Sequence, residues 1–505
     1  MTLTRRSLLA AGAAVPLLGR AARAASGRLV YGLSSYPPTF APFANAGSAA
    51  AAAKLMVHRG LLGYGPDGTL RGELAQSWSH DPADGAWVFH LRDAVFHNGH
   101  KVTAADIAWT IEQVAAPTST AYMRKQLQEI SKIDVPDAQT VRLHTKSPNA
   151  TLPLLFAGFY LPMVQKGSLA ANPIGMGAGP FVMTRQERGV ALEFAAFDKF
   201  YRAPLPKLAA VRMVAYADEN ARVAALQAGD VDLIEYVPWQ SMSSIEKNPK
   251  LRLLTTLGPF MYLTFNGRKK PFADPRVRLA VAYAVKRDDV VKAAFFGRGA
   301  PLGGVPIPPG TPFYDAKYAN AWTYDPARAK ALLAQAGYGG GFSCKLLSTA
   351  QYGMHKDTAT VVQQYLGAIG IKAELVLPDW ATRVAMGNRG QFEIAVMGTA
   401  ADSNDPDGLA GLLAGNLPMS YERSQNIDIP AIDKLIAAGR AEFNDAKRHA
   451  IYDEVQKLVV EQAPIVGLCW RSQGYAEKAT VQGFANMPGA LTFYSPTTLE
   501  QTTIG

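Results

Sequence analysis

An α/β fold is predicted for this chain by three features of its sequence. Residues 342–397 read strand, helix, strand, helix, strand (SCKLLST, DTATVVQQYLGAIG, IKAELVL, DWATRVAMGN, FEIAVMG), the alternation that builds a sheet flanked by helices. Residues 210–238 read strand, helix, strand, a crossover unit. The 505 residues are 48% hydrophobic, enough for two or three domains. Neither a repeat nor a low-complexity linker divides them, so the domains are expected to be closely joined.

The elements follow in order. Residues 1–24 carry a twin-arginine start (Arg5, Arg6) and an A-x-A site at Ala22–Ala24. The apolar stretch Leu8–Gly19 is too short for ~30 Å of hydrocarbon. Together these predict a Tat-like export signal cleaved near Ala24. RLVYGL (28–33) is a β-rich run ending in a Ser/Pro loop, and 46–62 is an Ala-rich helix. WVFHLR is a strand, Asn98-Gly99 a tight turn, and Thr103 with Asp106 opens the helix AADIAWTIEQV by a T-x-x-D pattern. TVRLHT is a strand and NATLPLLFAG a helix. FMYLTFN is a strand, followed by the helix RVRLAVAYAVKRDDVVKAAFF. Five prolines mark 300–320 as loop, and Gly337 closes the helix DPARAKALLAQAG.

Charge and motifs exclude several functions. Cleavage removes Arg5, Arg6, Arg20 and Arg23 and no acid, taking the net charge from +10 to +6. No Lys/Arg block reads as a nucleic-acid stripe. Cys344 and Cys469 lie in apolar contexts and read as unpaired core residues. His97 and His100 flank the Asn-Gly turn, which explains their spacing without a metal. No G-x-S-x-G elbow, H-E-x-x-H helix or phosphate-cradling G-x-x-x-x-G-K-[ST] occurs. No cofactor and no catalytic residue is therefore expected, and any ATP used with this protein is hydrolysed by another chain.

One loop stands out. GTAADSNDPDG (398–408) places Asp402, Asp405 and Asp407 in a basic chain, directly after the strand FEIAVMG. In open α/β sheets ligands collect at the C-terminal ends of strands. Calcium fails there, because Pro406 and Leu413 stand where oxygen ligands are needed. Asp405-Pro406-Asp407-Gly408 has turn chemistry.

Seven segments, in this order, resemble the family 5 extracellular solute-binding proteins, the dipeptide-, oligopeptide- and nickel-binding group serving ATP-binding-cassette importers. They include GLLGYGPDGTLRGELAQSW, WVFHLRDAVFHNGHKVTAADIAWTIE, GAGPFVM, ADENARVAALQAGDVDLIEYVP and FMYLTFNGRKKPFADPRVRLAVAYAVKRDDVV. VPIPPG and YDEVQKLVVEQAPIVGLCW complete the set. The resemblance implies a two-lobed periplasmic-binding-protein fold (type II-like) with an extra α/β domain inserted in the first lobe. Lobe I would comprise 28–55, 177–255 and 478–505, the inserted domain 56–176, and lobe II 256–477. It implies a periplasmic, non-enzymatic monomer that hands a small-molecule or peptide ligand to membrane permease subunits.

Residue roles carry over unevenly. In peptide-binding members an Asp of a W-x-x-D-x-x-D-P loop holds the ligand's amino group; here Asp402 matches it, with Thr399 in place of the aromatic. Dipeptide-binding members place an Arg for the ligand carboxylate after a strand like SCKLLST, but STAQYGMHK has none. A peptide or peptide-like solute is expected; an opine, a glycoside or a metal chelate is the alternative, and a secreted hydrolase a more distant one. Position in the chain adds Ser34, Tyr36, Trp239 and Phe260 as candidate ligand contacts. Trp380 and Trp470 fit either the cleft or the core.

Overall fold

The computed structural model describes residues 27–309, 313–415 and 417–505. The export signal expected over residues 1–24 lies outside the described residues.

The fold is mixed α/β. Its main sheet has 11 strands. Across its path they run 371–376, 342–347, 394–399, 251–265, 466–478, 233–234, 28–33, 210–215, 191–196 and 181–187, with 299–301 paired to 466–478. The expected run over 342–397 forms as read: 342–347 pairs in parallel with both 371–376 and 394–399. The crossover at 210–238 also forms, and strand 28–33 lies between its two strands, parallel to each.

Two strands are much longer than their neighbours. Leu251–Phe265 and Val466–Lys478 pair antiparallel along most of their length. Only the second half of the first was legible as a strand. Its register breaks between the pairs Leu257–Ser472 and Phe260–Trp470, at Gly258-Pro259. A Cβ on Gly258 would lie 2.1 Å from the carbonyl carbon of Gly489, so only glycine fits this approach.

The remaining strands include an antiparallel four-stranded sheet, 75–80, 87–91, 140–145 and 130–137 in spatial order. Helix Ala104–Ala115 packs beside it. Its start is fixed as expected: Asp106 accepts from the Thr103 amide at 2.9 Å and the Thr103 hydroxyl at 2.7 Å. Gly99 turns the Asn-Gly corner with φ +87°. The flanking histidines have protein partners, the Gly179 carbonyl for His97 and the Gln165 side chain for His100. NATLPLLFAG shortens to one helical turn, Leu152–Leu155.

Apolar burial concentrates in three large clusters. One surrounds the 251–265 and 394–399 strands, with Phe260, Tyr262, Val396 and Leu468 fully enclosed. A second joins Phe89, Ile107 and Phe156 to Leu491 and Tyr494 from the C-terminal segment. A third lies around Leu29, Phe181 and Met213.

Candidate functional site

A narrow cavity opens where loops from distant parts of the chain converge. Each wall is held by identifiable bonds. Strands 28–33 and 233–234 are locked by Glu235, which accepts from the Ser34 amide (2.9 Å), the Ser34 hydroxyl (2.6 Å) and the Tyr31 hydroxyl (3.1 Å). The next residue, Tyr236, has φ +47°, an uncommon backbone state for a side chain this large. It is held there by Arg222, whose guanidinium donates to the carbonyls of Glu235, Tyr216 and Tyr236 at 2.8–3.1 Å. The turn aims the Tyr236 ring at Phe493 and Tyr352, with centroids 6.1 and 5.9 Å away.

The second wall comes from the strand ends of the 342–397 run. Tyr352 meets Trp380 edge-on at 5.4 Å, and Trp380 meets Tyr421 likewise at 5.8 Å. Asp379 caps the helix that starts at Trp380 by accepting from the Thr382 amide at 3.0 Å. Met354, His355, Gly398 and Thr399 fill the floor. Burial drives the His355 imidazole well below its usual range, and the Arg383 and Arg471 charges push the same way.

The third wall is the loop 40–47. Lys54 ties it down by donating to the carbonyls of Pro42 (3.2 Å) and Ala44 (2.6 Å). Burial lowers the Lys54 ammonium to about 7. Asn45 from this loop donates to Glu422 Oε2 at 2.8 Å. Glu422 is the acidic group of the cavity, its carboxyl raised by burial.

A second narrow cavity is lined by the acidic loop. Phe159 lines the first cavity and its ring partner Tyr494, 4.8 Å away, lines the second. The three aspartates have separate environments. Asp405 accepts from both terminal nitrogens of Arg448, at 2.8 and 2.6 Å, and caps the short helix Pro406–Leu409 through the Asp407 amide. Asp407 accepts from Arg440, Thr151 and Tyr452. The Asp402 carboxylate accepts no hydrogen bond among the described residues; only its main chain is tied, to Gly408 and Tyr494. Burial pushes its carboxyl up to about 7, the nearby Glu422 charge adds to this, and Arg423 opposes it. The Tyr64, Tyr122 and Tyr494 phenols around it are raised by burial, and further by the Asp402 charge.

The candidate contacts read from the sequence separate into groups. Thr399 lies in the wall of the first cavity and Asp402 in the second. Ser34 is buried against Glu235, while its neighbour Ser35 reaches the wall. Tyr36 accepts from Gln186 and packs edge-on to Phe40, outside both cavities. Trp239 is buried against Phe295. Phe260 has no exposed surface and packs on Tyr262 and Trp470. Of the two ambivalent tryptophans, Trp380 lines the cavity and Trp470 is core. Sequence reasoning missed Tyr236, Tyr352, Phe493 and Glu422. Tyr352 and Tyr236 do follow strands of the main sheet, which is a usable signal; Phe493 and Glu422 have none.

Among the described residues, no three His, Cys, Asp or Glu side chains are grouped to hold a metal. No described helix is long and apolar enough to cross a membrane. Cys344 and Cys469 are buried and unpaired.

Residues 69–420 match the family model described as bacterial extracellular solute-binding proteins, family 5 middle. Among curated proteins, the glutathione-binding protein GsiB of Escherichia coli (strain K12) is 27% identical over 498 residues, spanning 96% of each chain. That of Pectobacterium atrosepticum is 28% identical over 507 residues, spanning 97% of this chain and 98% of the other. Among solved structures, AgaA of Agrobacterium (A.tumefacien R10) in complex with agropinic acid shares 40% identity at a TM-score of 0.92. The match covers 95% of this chain and 99% of that one. DppA of Helicobacter pylori in complex with the peptide STSA has a TM-score of 0.86 at 22% identity, covering 95% and 98%. These neighbours are two-lobed periplasmic binding proteins, the fold class expected from the sequence.

Proposed function

Because the chain belongs to the family 5 bacterial extracellular solute-binding proteins, we propose that it captures a small peptide-like solute for an ATP-binding-cassette importer. Its relatives bind solutes and are not enzymes. The observation that carries the reading is the aromatic-walled cavity with one acidic end, Glu422. Flat aromatic surfaces suit apolar or sugar-like portions of a solute, and a desolvated carboxylate suits an amine.

The proposed division follows the sequence expectation: lobe I from 28–55, 177–255 and 478–505, an inserted domain at 56–176, and lobe II at 256–477. Closure would bend the strands 251–265 and 466–478 and bury the solute. Asp402 would anchor a cationic group through its unpartnered carboxylate. The protein would be exported on its first 24 residues and present the closed form to a membrane permease. Open and closed forms must bind that permease differently for the solute to bias transport.

Within this class, an amino-acid conjugate of the opine kind is favoured over a free dipeptide. The 40% identity to a protein solved with agropinic acid supports this, as does the lack of Arg in the 348–356 loop. Native mass spectrometry of the exported protein and titration calorimetry with agropinic acid, glutathione and Met-Leu test it. Tight binding of agropinic acid or glutathione supports the reading. Tighter binding of Met-Leu than of either overturns the preference, and binding of none with nothing co-purifying overturns the functional reading.

A further inference from the structure

Arg471 is fully buried, on the strand Val466–Lys478. Nη1 donates to Met354 Sδ at 2.6 Å, a weak acceptor. Among the described residues, Nε and Nη2 have no partner of good hydrogen-bond geometry, although the guanidinium lies close enough to the Tyr236 hydroxyl to favour its ionised form. No carboxylate lies within ion-pair distance among the described residues. A buried cation in this state is costly unless something compensates it.

The other enclosed arginines differ. Arg222 and Arg278 spend their N–H groups on main-chain carbonyls. Arg287 and Arg383 each leave one nitrogen unpartnered among the described residues but give their others to at least two main-chain carbonyls, which Arg471 does not. Arg423 has unpartnered nitrogens, but it faces the charges of Asp402 and Glu422.

Arg471 sits one side chain behind the cavity wall. Met354, which accepts from it, lines the cavity. So does Tyr236, whose ring lies 5.5 Å from the guanidinium carbon. His355, beside Met354, also has an unpartnered ring nitrogen, Nδ1. The strand register breaks at this residue, between the paired positions Trp470 and Ser472. Such irregularities re-aim side chains. The acidic group of the same cavity, Glu422, is contributed by a separate segment.

Resting on the solute-binding reading above, we propose that Arg471 is the anion-recognising residue of the cavity, taking a carboxylate of the solute once the flexible Met354 side chain yields. A guanidinium meets a carboxylate with two parallel N–H donors, which the Met354 sulfur cannot match. The function is that of the arginine missing from the 348–356 loop, supplied from a different strand.

The test is calorimetry with agropinic acid, glutathione and Met-Leu, each as the free acid and as its carboxyl methyl ester, on the wild type and on Arg471→Gln and Arg471→Lys. For whichever compound binds, esterifying one carboxyl should weaken wild-type binding by at least about 30-fold, the scale of a buried charge pair. Arg471→Gln should lose a similar factor for the acid while binding that ester as the wild type does. Arg471→Lys should fall between. The inference is overturned if the wild type binds acid and esters equally, or if Arg471→Gln binds the acid unchanged or weakens acid and ester alike. The wild-type comparison stands alone should Arg471→Gln not fold. Binding of no compound at all instead sinks the functional reading.

Discussion

The carboxylate of Asp407 accepts the hydroxyl proton of Thr151 at 2.9 Å, across 256 positions of chain. The same carboxylate takes Arg440 Nε on both oxygens, at 2.8 and 3.0 Å, and is itself buried. One aspartate thus fastens the segment around 150 to the acidic loop and to helix Pro430–Ala441.

Asp407→Ala should therefore destabilise by about 3–5 kcal/mol, because it leaves a partly buried guanidinium and the Tyr452 hydroxyl without an acceptor and leaves the Thr151 hydroxyl only Asn149. Urea unfolding at pH 7 measures this. A loss below about 1 kcal/mol would show that water replaces the carboxylate. Thr151→Val should cost less, about 1 kcal/mol, since the Arg440 pair survives.

Asp402 predicts the opposite behaviour. Its carboxyl is raised to about 7, above its unfolded value of about 3.9. The folded state therefore binds the extra proton between these values. The stability linked to it is present below about pH 4 and is lost as pH rises through 7. Asp402→Asn should remove this dependence, so the mutant should gain on the wild type between pH 5 and pH 8 by up to a few kcal/mol. Paired melts at the two pH values read it; parallel curves would contradict it.

The same proton controls capture of an amine. Ionised Asp402 attracts a cation, so affinity for an amine-bearing solute such as glutathione should rise from pH 6 to pH 8, and Asp402→Asn should flatten that rise. Glu422→Gln should weaken glutathione binding by about tenfold or more, the scale of one charge-assisted hydrogen bond. Unchanged affinity in both variants would move the cation site elsewhere.

Burial raises both cysteine thiols to about 12. Both should be unreactive towards a disulfide reagent at pH 8 in the native protein and should react at two per chain after denaturation. Fast labelling of either in the native state would contradict the enclosed setting.

Gly258→Ala should be strongly destabilising, about 1–3 kcal/mol or more, because its methyl would meet main-chain atoms of Gly489 rather than a side chain that could move. Chemical denaturation measures the loss.

Much of the fold was legible because it rests on periodicity. The 342–397 run, the capped helix at 104–115 and the crossover at 210–238 announce themselves by alternation, capping residues and turn dipeptides. Leu251–Leu257 was not, since its mixed polar pattern and Gly258-Pro259 disguise the first half of a strand that continues to Phe265. The site was legible only in part. The D-P-D-G turn separates Asp402 from its neighbours in sequence as in space. Position at a strand end does not say which way a side chain faces, so Trp239 and Phe260 could be located in the chain but not assigned to core or cavity. Tyr236 depends on a positive φ imposed by Arg222 from another element, and Phe493 lies in an irregular C-terminal segment. Neither leaves a local pattern.

The strands Leu251–Phe265 and Val466–Lys478 bear on how this molecule can be taken apart. Both continue past the register break, so no single cut frees one half intact. A fragment ending near residue 258 would present raw rows of N–H and C=O groups along two strands, and such rows seek partners. Half-molecules made this way would exchange strands with one another or aggregate. Anyone building a split reporter from this scaffold should cut at Gly85 or Gly189, turn glycines where an added Cβ would meet nothing within 4 Å.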